Sequence, residues 1–158
     1  MKHLFFSLVV LCSTGALATG SLDCVVNDEN IKFNFSADLG STFGAPLLDP
    51  TTGKVEIKNQ AAPIQIPLIK LNKSNVTQYW NFHNEVKMVL YWEPTGDQVG
   101  DYFSSYSMVI ETEYNKMGKL VGTYSSEFLV NSPTISSLKP SGIVKKASGT
   151  IKCSDSRG

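Results

Sequence analysis

Histidine is almost missing from this sequence: two in 158 residues, His3 and His83. Cysteine is scarce, with three. Neither sign of charge dominates, since 14 Lys and Arg face 14 Asp and Glu. No apolar run approaches the roughly 20 residues that a membrane-spanning helix requires. Each shortage excludes something. Without clustered imidazoles and thiolates there is no zinc site. Without a basic excess there is no electrostatic reason to expect nucleic acid or an anionic membrane surface as partner. No motif calls for a cofactor, a metal or a catalytic nucleophile.

The first residues read as a targeting segment. Met1-Lys2-His3 is a short basic start, Leu4 to Leu11 is an apolar stretch too short to span a bilayer, and Ala16-Leu17-Ala18 is a small-x-small exit. Cleavage is expected after Ala18, leaving residues 19–158 as one domain in a secreted or periplasmic setting. Leu11 before Cys12 and Asp23 before Cys24 argue against a lipoprotein. Removal of residues 1–18 takes away Lys2, His3 and Cys12, so 14 basic residues become 13 against 14 acidic ones, with His83 alone of its type. Cys24 and Cys153 remain, near opposite ends of the chain. Two cysteines left after export predict one disulfide.

The strongest pattern lies between Tyr106 and Phe128. Two alternating runs flank Asn115-Lys-Met-Gly118, and Gly118 suits the left-handed position before the second strand. Pairing Asn115 with Lys119 sets Tyr114 opposite Leu120, Thr112 opposite Gly122 and Ile110 opposite Tyr124. Tyr106, Met108, Ile110, Tyr114, Leu120, Tyr124 and Phe128 then share the core face. Val109, Glu111, Glu113, Val121, Thr123, Ser125 and Glu127 share the wet one. Gly122 marks either a bulge or a close approach of the neighbouring strand.

The rest of the chain repeats the theme. Thr19 to Asp23 reads as a tail and Asn27 to Asn30 as a turn. Ile31, Phe33 and Phe35 alternate inward, as do Val55 and Ile57. Asp38 to Gly53, with Gly40, Gly44, Pro46, Pro50 and Gly53, reads as a long loop. Ala62 to Leu71 reads as an edge strand with Ile64, Ile66 and Leu68 on one parity, guarded by Pro67 and Lys70. Glu85 to Glu93 is a central strand with Val86, Met88, Leu90 and Trp92 inward. Pro94 to Asp101 is a loop, Asn131 to Gly142 a Ser- and Pro-rich connection, and Ile143 to Cys153 a last strand with Gly149 as bulge or turn. The expected fold is all-β: a single antiparallel β-sandwich, immunoglobulin-like or jelly-roll-like, of about seven to nine strands. A small closed β-barrel is the alternative.

For function the residues offer surfaces, not a motif. The aromatics Tyr79, Trp80, Tyr91, Trp92, Tyr102, Phe103 and Tyr106 cluster mid-chain, and Tyr91 falls on the polar parity of its strand. Tyr91, Asp97, Asp101 and Tyr102 are the candidate ligand-binding residues. A protein or a glycan is the partner class that suits exposed aromatics on a β frame. His83 sits in a turn between strands. Glu111, Glu113 and Glu127 are the carboxylates that a hydrolase reading would use. Asn27, Asp28, Glu29 and Asn30, or Asp97 with Asp101, are oxygen-rich but lack calcium-loop spacing; turn chemistry accounts for them. Asn34, Asn72 and Asn75 each open a glycosylation acceptor triplet, expected to go unused behind a leader of bacterial character. The expected activity is non-enzymatic binding through loops and aromatics. A barrel carrying a small hydrophobic ligand and a carboxylate-based hydrolase stay as rivals.

Overall fold

The structure is a computed structural model that describes residues 20–42, 45–58, 68–94, 103–131 and 143–156. Its strands are β1 (Gly20–Asn27), β2 (Ile31–Thr42), β3 (Ala45–Ile57), β4 (Ile69–Leu71), β5 (Val76–Phe82), β6 (Glu85–Trp92), β7 (Phe103–Tyr114), β8 (Leu120–Asn131) and β9 (Ile143–Asp155). All nine lie in one antiparallel sheet, in the order β4-β3-β2-β1-β9-β8-β7-β6-β5. The expected cleavage after Ala18 lies outside the described residues.

That order is a meander read in a circle, with β1 beside β9 and the break between β4 and β5. The pairings make β4 and β5 run the same way. A single 3₁₀ turn, Lys73–Asn75, carries the chain from one edge of the sheet to the other. In a flat nine-stranded sheet those edges would stand about 38 Å apart. The chain from Leu71 to Val76 reaches at most about 17 Å. The sheet therefore has to curl, and it forms a half-barrel. Asn75 pins the crossing: its amide donates to the Tyr91 carbonyl at 3.0 Å and accepts from the Asn72 amide at 2.8 Å. Lys73 pairs with Asp49 of β3 at 2.8 Å on the other side.

The central hairpin holds the expected register. Tyr114 faces Leu120, Thr112 faces Gly122 and Ile110 faces Tyr124. The Asn115 amide bonds the Lys119 carbonyl at 2.9 Å, and Gly118 has φ +69°. Tyr106, Met108, Ile110, Leu120, Tyr124 and Phe128 are buried, and Tyr114 is half-buried. Burial pushes the Tyr106 phenol up to about 12. Ile31, Phe33 and Phe35 of β2, Val55 and Ile57 of β3, and Val86, Met88 and Leu90 of β6 join the same core. Trp92 packs against it half-buried.

Other expectations are corrected. The described residues of 38–53 are not a long loop, because Asp38 pairs with Asp49 and Leu39 with Leu48 along the extended β2–β3 hairpin. Leu39 is buried and Leu48 packs against the core, so apolar contacts hold a ladder that the glycines and prolines alone would argue against. Pro50 pairs with Ala37 next to a register shift between Ser36 and Ala37, the kind of irregularity at which sheets accept proline. Residues 20–23 are not a tail: β1 begins at Gly20 and Leu22 is buried. β9 likewise runs on through Ser154 and Asp155, past the expected strand end. Only the end of the expected 62–71 strand is described. There the parity is reversed, with Leu68 49% exposed while Ile69 and Leu71 are buried. β4 is an edge strand as expected, and Lys70 is exposed. Ile64, Ile66 and Pro67 lie outside the described residues.

Gly149 is neither bulge nor turn. It pairs in register with Tyr124, and a Cβ there would lie 2.8 Å from the Tyr124 ring and 2.7 Å from Asp28 Oδ2. The gap lets the Tyr124 hydroxyl donate to Asp28 Oδ2 at 2.5 Å. Asp28 Oδ1 accepts from the Asn30 and Ile31 amides at 2.8 and 2.9 Å, closing the β1–β2 turn. Partial burial by itself raises the Asp28 pKa. Hydrogen bonds from Tyr124, Ile31 and Asn30, with Lys58 nearby, outweigh burial and hold it below 3.8. A depressed carboxylate pKa stabilises the fold above the ordinary value, and the contribution is lost as pH falls through the folded one. Asp28→Asn is expected to cost about 1 kcal/mol at neutral pH. Its deficit against the parent should shrink below about pH 4. Urea unfolding at neutral and acidic pH checks this, and a deficit independent of pH would contradict it.

Candidate functional site

The outward face of β5 to β9 is assembled row by row from the register. Trp80 lies across from Lys87, Lys87 from Glu111, Glu111 from Thr123 and Thr123 from Thr150. The next row runs Gln78, Val89, Val109, Ser125 and Ser148. These positions face out because their neighbours in sequence, among them Met88, Ile110 and Tyr124, fill the core. Val89 is half-buried and Val109 39% exposed, so the face is not uniformly polar.

Trp80 and Phe82 are 56% and 58% exposed on β5. Their rings meet edge to face at 5.9 Å, and the Phe82 ring meets His83 at 4.0 Å. His83 occupies the β5–β6 turn with φ +53°, in contact with solvent, as its sequence position suggested. Beside Trp80 a groove of about 680 Å³ is lined by Gln78, Glu85, Lys87, Val89, Val109 and Glu111, among others. Lys87 lies 3.4 Å from Glu85 and 3.7 Å from Glu111. The Glu85 hydrogen bond, more than Glu111, raises the Lys87 pKa further above its ordinary value. The ammonium therefore stays charged, and the groove carries two carboxylates and one cation.

Of the residues expected at a binding site, Tyr91 is 39% exposed near the end of β6. Its hydroxyl donates to Glu93, and that bond, with some burial, raises the phenol pKa. Asp97, Asp101 and Tyr102 lie outside the described residues. Glu111 and Glu113 face water as expected. Glu127 pairs with Lys146 at 3.0 Å. Asp28 is taken up by the turn and Tyr124. Among the described residues, no group of three or more His, Cys, Asp or Glu is placed to hold a metal. No helix among them is long and apolar enough to cross a membrane.

Cys24 and Cys153 are disulfide-bonded across the β1–β9 ladder, with Cα atoms 4.1 Å apart. The bond is consistent with an oxidising compartment.

In the sequence Trp80 stands only as one of the mid-chain aromatics and Phe82 is not singled out, so neither is among the candidate ligand-binding residues there. Tyr79 and Trp80 are adjacent, so aromatics occupy both parities of β5 and alternation cannot choose a face. The pairing with β6 chooses it: Tyr79 stands beside core Met88, and Trp80 beside Lys87. Comparison with family models, with characterised proteins and with solved structures returns no match.

Proposed function

We propose that the protein is an exported binding module, without a catalytic step of its own, that takes a neutral glycan on its outer sheet face. The observation that carries this reading is the exposed Trp80 bordering a groove of hydrogen-bonding side chains. A pyranose ring offers an apolar C–H face that stacks on indole, while its hydroxyls pair with the Gln78 amide, the Lys87 ammonium and the Glu111 carboxylate. Carboxylates outnumber cations in the groove, which favours a neutral sugar over an acidic one. Export rests on the leader at residues 1–18, and the disulfide supports it.

The strand order supports a barrel-like closure over two stacked sheets, because neighbours in space follow the chain around the circle. Tyr106, Phe33 and Met108 are fully buried inside the curl, which favours recognition on the outside over an internal hydrophobic ligand. The hydrolase reading has less support. Glu127 lies opposite Ser107, four residues from Glu111, so that pair stands about 14 Å apart, beyond the spacing of paired glycosidase carboxylates. Glu111 and Glu113, two residues apart on β7, stand about 7 Å apart, within that spacing, but both are exposed on the open sheet face.

Binding of the mature protein to immobilised neutral and acidic glycans tests the reading. Trp80→Ala should weaken the neutral-glycan signal at least about tenfold. It should leave stability within about 0.5 kcal/mol, since the side chain is exposed. Retention of protein partners with no glycan signal would replace glycan by protein as the ligand class.

A further inference from the structure

The Trp80 groove does not end at β7. Val109 lines it and also lines two further depressions, one running over Thr123, Ser125, Ser148 and Thr150, the other over Ser125, Ser148 and Lys146. In the register, Val109 faces Ser125 and Ser125 faces Ser148, while Thr123 faces Thr150. All four hydroxyl residues are exposed. They form a two-by-two array on adjacent strands, with short side chains that leave the depression open. From Trp80 on β5 to Thr123, in the same row on β8, is three strand spacings, about 14 Å.

Resting on the glycan reading above, we infer that Thr123, Ser125, Ser148 and Thr150 form a second subsite, and that the ligand is a neutral oligosaccharide chain long enough to bridge it to Trp80. The chemistry of the two ends differs in a way that suits this division. Trp80 supplies a stacking surface for one ring. The hydroxyl array supplies donors and acceptors that match sugar hydroxyls one for one and carry no charge. Between them Val89 and Val109 give an apolar saddle on which C–H groups of a linking ring can rest. An acidic polymer finds no cation among the residues lining the Thr123–Thr150 depression, where Glu111 is the charged side chain. A single sugar on Trp80 leaves the array in water.

The test is calorimetry with neutral gluco-, manno-, xylo- and galacto-oligosaccharides, each graded in length from the monosaccharide upward. The parent protein should bind one series with affinity that rises with length. Ser125→Ala with Ser148→Ala should lower affinity for the longer members about tenfold, and leave the monosaccharide unchanged. Ser125→Lys, which fills the depression, should act in the same direction on the longer members. Trp80→Ala should weaken every member. All these positions are exposed, and unchanged circular dichroism confirms folding. Equal affinity for monosaccharide and longer members, or equal loss for both in the serine variants, overturns the second subsite and leaves the Trp80 reading standing. No binding by any series overturns both.

Discussion

Replacing Cys24 and Cys153 together with alanine should lower the unfolding free energy by about 4–5 kcal/mol. The bond joins residues 129 apart in sequence, so its removal frees nearly the whole domain in the unfolded ensemble. It also sits on a short ladder of the sheet. The β1–β9 ladder runs only from Leu22 to Val25, whereas β8 and β9 pair from Leu120 to Val130. This short ladder joins the first strand of the chain to the last and carries the whole β1-β2-β3-β4 side. Both cysteines are buried, and alanine avoids leaving a hydroxyl there without a partner. In urea the midpoint should fall by about 2 M. Hydrogen exchange should show β1 opening before the β7–β8 hairpin. A midpoint within about 0.5 M of the parent would show that the β1–β9 contact holds without the bond.

Gly122→Ala should cost about 3 kcal/mol, more than its one added methyl suggests. A Cβ at Gly122 would lie 1.9 Å from the Glu111 carbonyl oxygen and 2.7 Å from the Thr112 Cα. Those are backbone atoms of the neighbouring strand, so no side chain can swing aside. The β7–β8 ladder itself must shift, and it runs the full length of both strands, from Phe103 opposite Asn131 to Tyr114 opposite Leu120. Gly118→Ala is the comparison. It has open space around it and a left-handed φ of +69°, so it should cost only about 1 kcal/mol. Thermal unfolding of the two variants should rank Gly122→Ala well below Gly118→Ala. The reverse order would mean that β7 yields easily at this point.

Both predictions return to what was readable in the chain. The disulfide followed from the number and position of the cysteines that remain once residues 1–18 are read as a leader. The hairpin register followed from alternation around Gly118, because a one-residue slip would have turned Tyr106, Met108 and Ile110 to water. The possible close approach at Gly122 was readable as one of two options, and the coordinates chose the contact over the bulge.

Other features were not readable, for physical reasons that differ from place to place. The β2–β3 extension looked like a loop because Gly and Pro report local preference. Leu39 and Leu48 hold it through a contact across strands. Asp28 looked like any turn aspartate, and its bond to Tyr124 spans 96 residues. Trp80 could not be given a face until β6 lay beside it.

Alternation, turn chemistry and two cysteines thus determined by themselves an all-β chain, its central hairpin and the pairing of its ends. These are local or combinatorial properties, set by side-chain period, glycine geometry and a count of thiols. The single curled sheet, the crossing of the chain between its edges at Lys73–Asn75, and the outer face from Trp80 to Thr150 were decided only in three dimensions. Each depends on which strand lies next to which, and neighbours brought together from distant parts of the chain leave no mark on the sequence of either.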